Sequence, residues 1–412
     1  MQRWKAEPAA ERTKVPSRAS KRGLDWLTFF VADIQTGFGP FLSVYLTSQK
    51  WTQVDIGLVL SVGSIAGLLC QIPGGWVVDW ARSKLRVAGL AILGIGVSAV
   101  LIALTPLFVA ILSAKLLHVA ASSVLGPAVA AITLGLVGHA AVGPRLGRNA
   151  RFSAIGNGLA AAVMGACGYF VSPQAVFLVT ALLALPALLA LRQIRESEID
   201  ALGADGGVEP CGSKPRPAGL RRLFRGGALL VFVACVLLFH LANAAMLPIV
   251  GSDVTTRAGR WATALVAACI IAPQIIVAAV SPTVGQLAQS WGRRPLLLIG
   301  FAVLPVRGVL LACTTDPYMI VAVQALDGIS GAVLGVLVPL VLADISRGTG
   351  RFNLAQGIVG GATGIGAALS TFGAGYLADH FGSAIAFAGM AAAATLALGL
   401  LLAKMPETRP AG

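Results

Sequence analysis

The feature that most constrains this chain is a recurrence of long apolar runs, parted only by short polar or Gly/Pro-bearing breaks. A bilayer core takes about 20 apolar residues per helical crossing. Inside lipid the backbone must satisfy its own hydrogen bonds, so such runs are expected to be helices. Composition agrees: 57% of the 412 residues are hydrophobic and 12% charged, whereas a soluble chain carries roughly 25% charged residues. The 49 glycines suit close helix packing, because small residues let backbones approach.

Counting the runs gives twelve spans. The first six cover about 25–47, Thr52 to Gly75, 87–104, 107–137, 152–171 and Pro173 to 191. Thr52 and Asp55 have the spacing of a helix N-cap. The last six cover about 227–250, 262–289, 296–313, 318–343, 353–378 and 383–402. Residues 192–225 lose the apolar period and read as a mobile linker. The expected organisation is a tail (1–24), a six-helix half (25–191), the linker (192–225), a second half (226–403) and a tail (404–412). The halves echo each other: Phe29 to Asp33 sits over Phe239 to Asn243 at an offset of 210. The expected fold class is an all-α integral membrane protein with twelve transmembrane helices in two six-helix pseudo-repeats, a plan that secondary transporters use.

The net charge of +14 does not point to nucleic acid, because the basic residues alternate between loops instead of sharing one face. With the N-terminus placed inside, 26 of the 31 Lys and Arg fall on the inner side, three outside and two within spans. That is the positive-inside pattern, and it places both termini and the linker in the cytoplasm. Six cysteines without paired spacing read as packing residues. The basic N-terminus lacks a small-residue cleavage site and reads as a tail before an uncleaved first helix.

Two short charged turns occupy equivalent places in the halves: Gly74 to Arg86, and Gly285 to Pro295. With the six-plus-six plan, they make the chain resemble the major facilitator superfamily along essentially its whole length. In that family the first turn reads Gly-x-x-x-Asp-Arg/Lys-x-Gly-Arg-Arg/Lys. Gly75, Asp79 and Lys84 match, whereas Trp80, Arg82 and Ser83 depart. In the second turn Gly285, Gly292, Arg293 and Arg294 match, and Gln289 replaces the acid. Lys115 and His118 soften the family's Arg-x-x-Gln-Gly on span 4, and no Gly-Pro pair joins Gly158, Gly165 and Gly168 on span 5. The resemblance implies alternating access, in which the halves rock about a central site. It also implies a conformational latch made by Gly75, Asp79, Arg82, Lys84, Arg86, Gly285, Gly292, Arg293 and Arg294. Asp79 would bind the start of a neighbouring helix.

Ionisable groups inside a membrane helix are costly and are functional candidates by default. Asp33 lies about eight residues into span 1, beside Gln35, Gly37, Gly39 and Pro40, which loosen the helix. It is the expected proton carrier. Lys115 and His118 share a face of span 4, and Lys115 is expected to pair with Asp33. On span 7, His240 and Asn243 stand where span 1 has Phe30 and Asp33, and are expected to face substrate. Arg307 on span 9 and Asp327 on span 10 are expected to form a buried charge pair.

No metal-ligand cluster, nucleophile–base pair or phosphate loop is present in the sequence, so a membrane enzyme or non-transporting sensor is a remote alternative and an ATP-driven pump is disfavoured. A secondary transporter is expected, needing no cofactor beyond a proton gradient, with sodium left open. Its partners would be the bilayer and a small-molecule substrate, not nucleic acid, and it would act as a monomer in a bacterial inner membrane. Proton-coupled efflux is the leading expectation. Import of an anionic metabolite is the alternative if Lys115 and Arg307 face the cavity.

Overall fold

The computed structural model describes residues 16–36, 40–205, 223–224, 227–257 and 262–409. Among these the chain forms helices and turns, with no strand. Ten helices among the described residues are long and apolar enough to cross a membrane. One of them, Phe108–Phe170, runs for 63 residues, room for two crossings. Its single non-helical residue is Gly138, at φ 68° and ψ 172°, a conformation open to a residue without Cβ. The first crossing is described as Arg18–Thr36 and Pro40–Ser48, with 37–39 outside the described residues. With Phe108–Phe170 divided at Gly138 and the two pieces of the first crossing joined, the helices read as twelve.

Each half has its own apolar core. Leu27, Ile34, Ile92, Ile132 and Phe177 belong to the first; Phe232, Phe239, Phe301, Leu337 and Phe387 belong to the second. The second core also takes in Leu134, Val142 and Leu146 of the first half, next to Val284 and Ala288. On the outside, Leu90, Leu93, Val97, Leu101 and Leu104 of span 3 are exposed at helical spacing. In water that stripe would be an apolar patch needing a partner; in a bilayer it meets lipid. Trp76 and Trp80 stack at 6.0 Å at the end of span 2, where amphipathic rings suit the membrane surface.

The structure moves several expected boundaries. Span 1 begins at Arg18, inside the stretch read as a tail. Ser17 starts it by accepting from the Ser20 N–H (3.2 Å), and is itself held by Glu198 (2.9 Å). The basic stretch 145–151, read as a break between spans 4 and 5, is helix, with Arg145 and Arg148 paired to Asp25. Spans 7 and 10 each break, into Ala228–Asn243 and Met246–Arg257, and into Pro317–Gln324 and Asp327–Ile345. At the second break Gly328 and Ile329 donate to Ala325 and Leu326, both at 3.0 Å. These tighter i→i−3 bonds locally replace the α pattern.

Part of the linker forms secondary structure. Residues 192–205 hold a short turn at Glu196–Glu198 and a helix at Ala201–Ala204. They dock where the halves meet: the Asp200 N–H bonds Gly135 O (2.8 Å), and Phe352 N–H bonds Asp205 O (3.2 Å). Of the linker, 206–222 and 225–226 lie outside the described residues, as do Gly37 and Gly39.

Candidate functional site: a central cavity between two halves

Where the halves face each other, spans 1, 2, 4, 5, 8, 10 and 11 line a cavity of about 600 Å³. Small-molecule sites fall in the range of about 300–1,000 Å³. Most of the wall is aliphatic, including Val31, Val129, Val277 and Val359. Its polar side chains include Gln35, Gln71 and Asn157 from the first half, and Gln274, Gln356 and Thr363 from the second. Among the described residues, none that lines it is charged or aromatic. Gln71 lies directly against span 11: a Cβ at Gly360 would come within 2.6 Å of its Oε1, and one at Gly357 would strike its carbonyl oxygen.

A smaller cavity of about 280 Å³ in the second half is lined by His240, Asn243, Asp327 and Ser330. It shares Gly331, Val338 and Thr363 with the central one, so the two adjoin. Behind it Arg307 is buried, donating to Asn243 Oδ1 at 2.8 Å and pairing with Asp327. The helix breaks in spans 7 and 10 fall beside Asn243 and Asp327, so the backbone yields where this cluster is held.

The first half is arranged differently. Asp33 is buried, and its Oδ1 has no hydrogen-bond partner among the described residues. It packs on span 5, where a Cβ at Gly156 would lie 3.0 Å from that oxygen. Lys115 lays its stem over Gly63 of span 2, so close that a Cβ there would be 2.7 Å from Cε. The expected Asp33–Lys115 pair is therefore not formed, because the two side chains pack against different spans. His118 is buried on span 4, with Nε2 at 3.4 Å from Ser122 Oγ. Asp33, Lys115 and His118 line neither cavity; Gln35 lines the central one.

Two seams join the halves at the end that carries the basic turns. In the first, Gly75 at the end of span 2 meets the backbone of Asn353, and a Cβ would collide with Asn353 O. One turn on, Asp79 accepts from Asn353 N–H (3.0 Å), Asn353 Nδ2 (2.8 Å) and Leu354 N–H (2.9 Å). These donors open the helix Phe352–Phe381, where unpaired N–H groups and the helix dipole favour an anion. In the second seam, a Cβ at Gly285 would collide with Gly143 O, and one at Gly143 would lie 2.6 Å from Gln289 Nε2. Gly147 completes it against the Ser281 carbonyl.

A full-length comparison decides the family. The sequence model of the Major Facilitator Superfamily matches residues 26–272 and 232–412. The chain belongs to the major facilitator superfamily. It is 42% identical over 403 residues to an uncharacterised MFS-type transporter of Mycobacterium tuberculosis strain CDC 1551 / Oshkosh, with 96% of this chain and 94% of the relative covered. The counterpart in strain ATCC 25618 matches to the same extent. In fold it is similar to the human organic anion transporter MFSD10, with a TM-score of 0.69, 16% identity, and 96% and 100% of the two chains covered. The protein is thus a multi-pass membrane transporter and not an enzyme.

Within the superfamily's paired turns, the structure separates residues that cross between the halves from residues that brace one of them. Gly75, Asp79 and Gly285 cross. Lys84 instead binds the linker's Asp205 (2.7 Å) and the Val78 carbonyl (2.6 Å). Burial pushes the Asp205 carboxyl up to about 6, against the pull of Lys84. Arg293 pairs with Asp344 (2.9 Å), and Arg294 donates to Leu402 O (2.7 Å), both within the second half. Gly292, at φ 97°, lets Glu407 approach and accept the N–H groups of Arg293 and Arg294 at 2.9 and 3.0 Å. Burial works against the Glu407 carboxylate, but these N–H bonds outweigh it and hold its pKa below the ordinary value. Arg82 and Arg86 are exposed and make no ion pair among the described residues.

The sequence reading missed a second brace. Asp25, about two turns into span 1, accepts from Arg145 Nη2 (2.8 Å) and from Arg148 Nε (2.9 Å) and Nη2 (2.8 Å). Arg145 also donates to Asn149 Oδ1 (2.9 Å), which donates on to Thr133 (2.9 Å). This network fixes the helix whose Gly143 and Gly147 form the second seam. The i, i+3 spacing of Arg145 and Arg148 was a signal for it. Gln71, Asn157, Gln274, Gln356 and Thr363 carried no comparable signal.

Proposed function

We propose that this transporter is a proton-coupled exporter of a small molecule. It works as a monomer in a bacterial plasma membrane, with its basic end and both termini in the cytoplasm. The observation that carries this reading is the central cavity, walled by both halves and bounded at the basic end by the two seams. Parting the seams while the opposite end closes would present the cavity to the two sides in turn. The orientation rests on the alternation of basic residues between loops.

Proton coupling is assigned to Asp33. A carboxylate buried without a full set of partners is costly while ionised, and Asp33 Oδ1 is in that position. Its contact with Gly156 ties it to span 5, one wall of the cavity. Gain and loss of a proton there would change how spans 1 and 5 pack. The export direction rests on the membrane-embedded acid of span 1, a feature of some drug–proton exchangers of the superfamily, and on a cavity wall with few fixed charges. Anion import would want a cation on the cavity wall, and neither Lys115 nor Arg307 stands there.

The test is flux of a compound panel in reconstituted vesicles under a pH gradient of either sign. Gradient-driven flux in the wild type should disappear in Asp33→Asn, with substrate binding and expression retained. Wild-type uphill flux in that variant would remove Asp33 as the carrier.

A further inference from the structure

We propose that the central cavity takes an electroneutral solute with an aliphatic body and carbonyl, amide or hydroxyl groups at both ends, and rejects organic ions of either sign. This deepens the transporter reading and rests on it. The argument begins with what the wall lacks. An organic cation is held in an apolar cavity by a carboxylate or by the faces of aromatic rings, and an anion by Arg, Lys or a helix N-terminus. Among the described lining residues there is no acid, base or aromatic ring. The nearby cations are engaged elsewhere or turned away, Arg307 with Asp327 and Asn243, Arg145 with Asp25, and Lys115 along Gly63, and the acid Asp33 packs against Gly156 outside the lining. An ion entering this wall would leave its hydration shell and gain no counter-charge.

The argument continues with what the wall offers. Gln35 and Gln71 of the first half and Gln274 and Gln356 of the second all line the cavity. Each carboxamide carries two donor hydrogens and an acceptor oxygen, so each can meet a carbonyl, an amide or a hydroxyl without a net charge. The Gln356 Nε2 is buried and has no partner among the described residues. Burying such a donor unpaired costs about 1–3 kcal/mol, and a solute acceptor would relieve that. Amides on both halves let one solute bridge them, and the aliphatic residues between fit an apolar body.

The test uses three probes of nearly equal size that differ in charge: N-acetyl-dileucinamide (neutral), dileucinamide (cation) and N-acetyl-dileucine (anion). Binding to the purified full chain is read by thermal shift, and movement by flux in reconstituted vesicles. The neutral probe should bind and the two ions should not. Gln274→Glu or Gln356→Glu, which changes charge at constant shape, should turn preference toward the cation by about tenfold or more. Preference for either ion in the wild type, no binding of the neutral probe, or a Glu variant with unchanged selectivity would overturn the proposal. If an ion is moved across the vesicle membrane, the substrate class falls while the transporter reading stands. If the neutral probe binds and never crosses, the class stands and the proposed proton-coupled export falls.

Discussion

At one seam of the basic end, Asp79 presents both carboxylate oxygens to the opening N–H groups of a helix in the other half. At the other seam, Gln289 takes the place of that acid, and the contact is glycine backbone on glycine backbone, extended by Leu134, Val142 and Leu146 in a shared apolar core. A contact built on charge-assisted hydrogen bonds has directed partners and is lost when they separate. A contact built on close packing tolerates small sliding but not added volume. One duplicated plan has thus produced a seam suited to make and break, and a seam suited to act as a bearing. Residues that looked equivalent in the two turns do different work: Asp79 crosses the gap, whereas Arg293 and Arg294 stay inside their own half.

The scale for any seam effect is set by damage inside one half. Asp327→Leu should strand the buried Arg307 at a cost of about 3–5 kcal/mol, and Arg307→Met, which strands the partly exposed Asp327, should cost less. Folded yield in membranes should drop for either single change, more sharply for Asp327→Leu, and recover in large part in the double. Normal expression of both single variants would dissolve the pair. Next in size is Asp79→Asn, which keeps the shape and removes the charge from three hydrogen bonds. It should weaken the first seam by about 2 kcal/mol, on the order of 30-fold in the balance of closed and open forms. A cysteine in place of the cavity-lining Ser153 should then react far faster with an impermeant thiol reagent applied at the basic end.

The packed seam should answer to volume instead. Gly285→Ala places a methyl on the Gly143 carbonyl, at a cost of about 1–3 kcal/mol. Gln289→Ala should change the same labelling little. Equal sensitivity of the labelling to Asp79→Asn and Gln289→Ala would erase the distinction between the seams.

The smallest effect concerns the linker, which docks beside the charged seam alone. Asp205 has a higher pKa docked, about 6, than its ordinary value. It therefore binds its proton more tightly docked than free. Docking gains as pH falls through about 6 toward the ordinary carboxylate value, and that gain is lost as pH rises through about 6. Hydrogen-exchange protection at residues 200–205, corrected for intrinsic rates, should rise on mild acidification. Asp205→Asn should abolish the pH dependence.

These contrasts also show how far a sequence can be read. The crossings were legible because lipid imposes a length on every apolar run, and Arg307 with Asp327 because charges in such runs are few. Asp79 was legible through its turn. Gly138 was not, being one of 49 glycines with nothing local to mark the backbone reversal. The stretch 145–151 read as a loop because its charges were visible and their partner, Asp25, lies more than a hundred residues away. The cavity amides stayed hidden because only the rotation of each helix decides whether Gln71, Gln274 or Gln356 faces the centre. The same ignorance of rotation produced the expected Asp33–Lys115 pair, since equal depth does not make two side chains face each other.

The most direct test of the account is the distance between spin labels at the exposed positions Arg82 and Arg347, which flank the charged seam, in the reconstituted full chain. Alternating access about that seam predicts two populations, one short and one long, with the long one enriched in Asp79→Asn on the order of 30-fold relative to the short. A single distance that is the same in the wild type and in Asp79→Asn would contradict it.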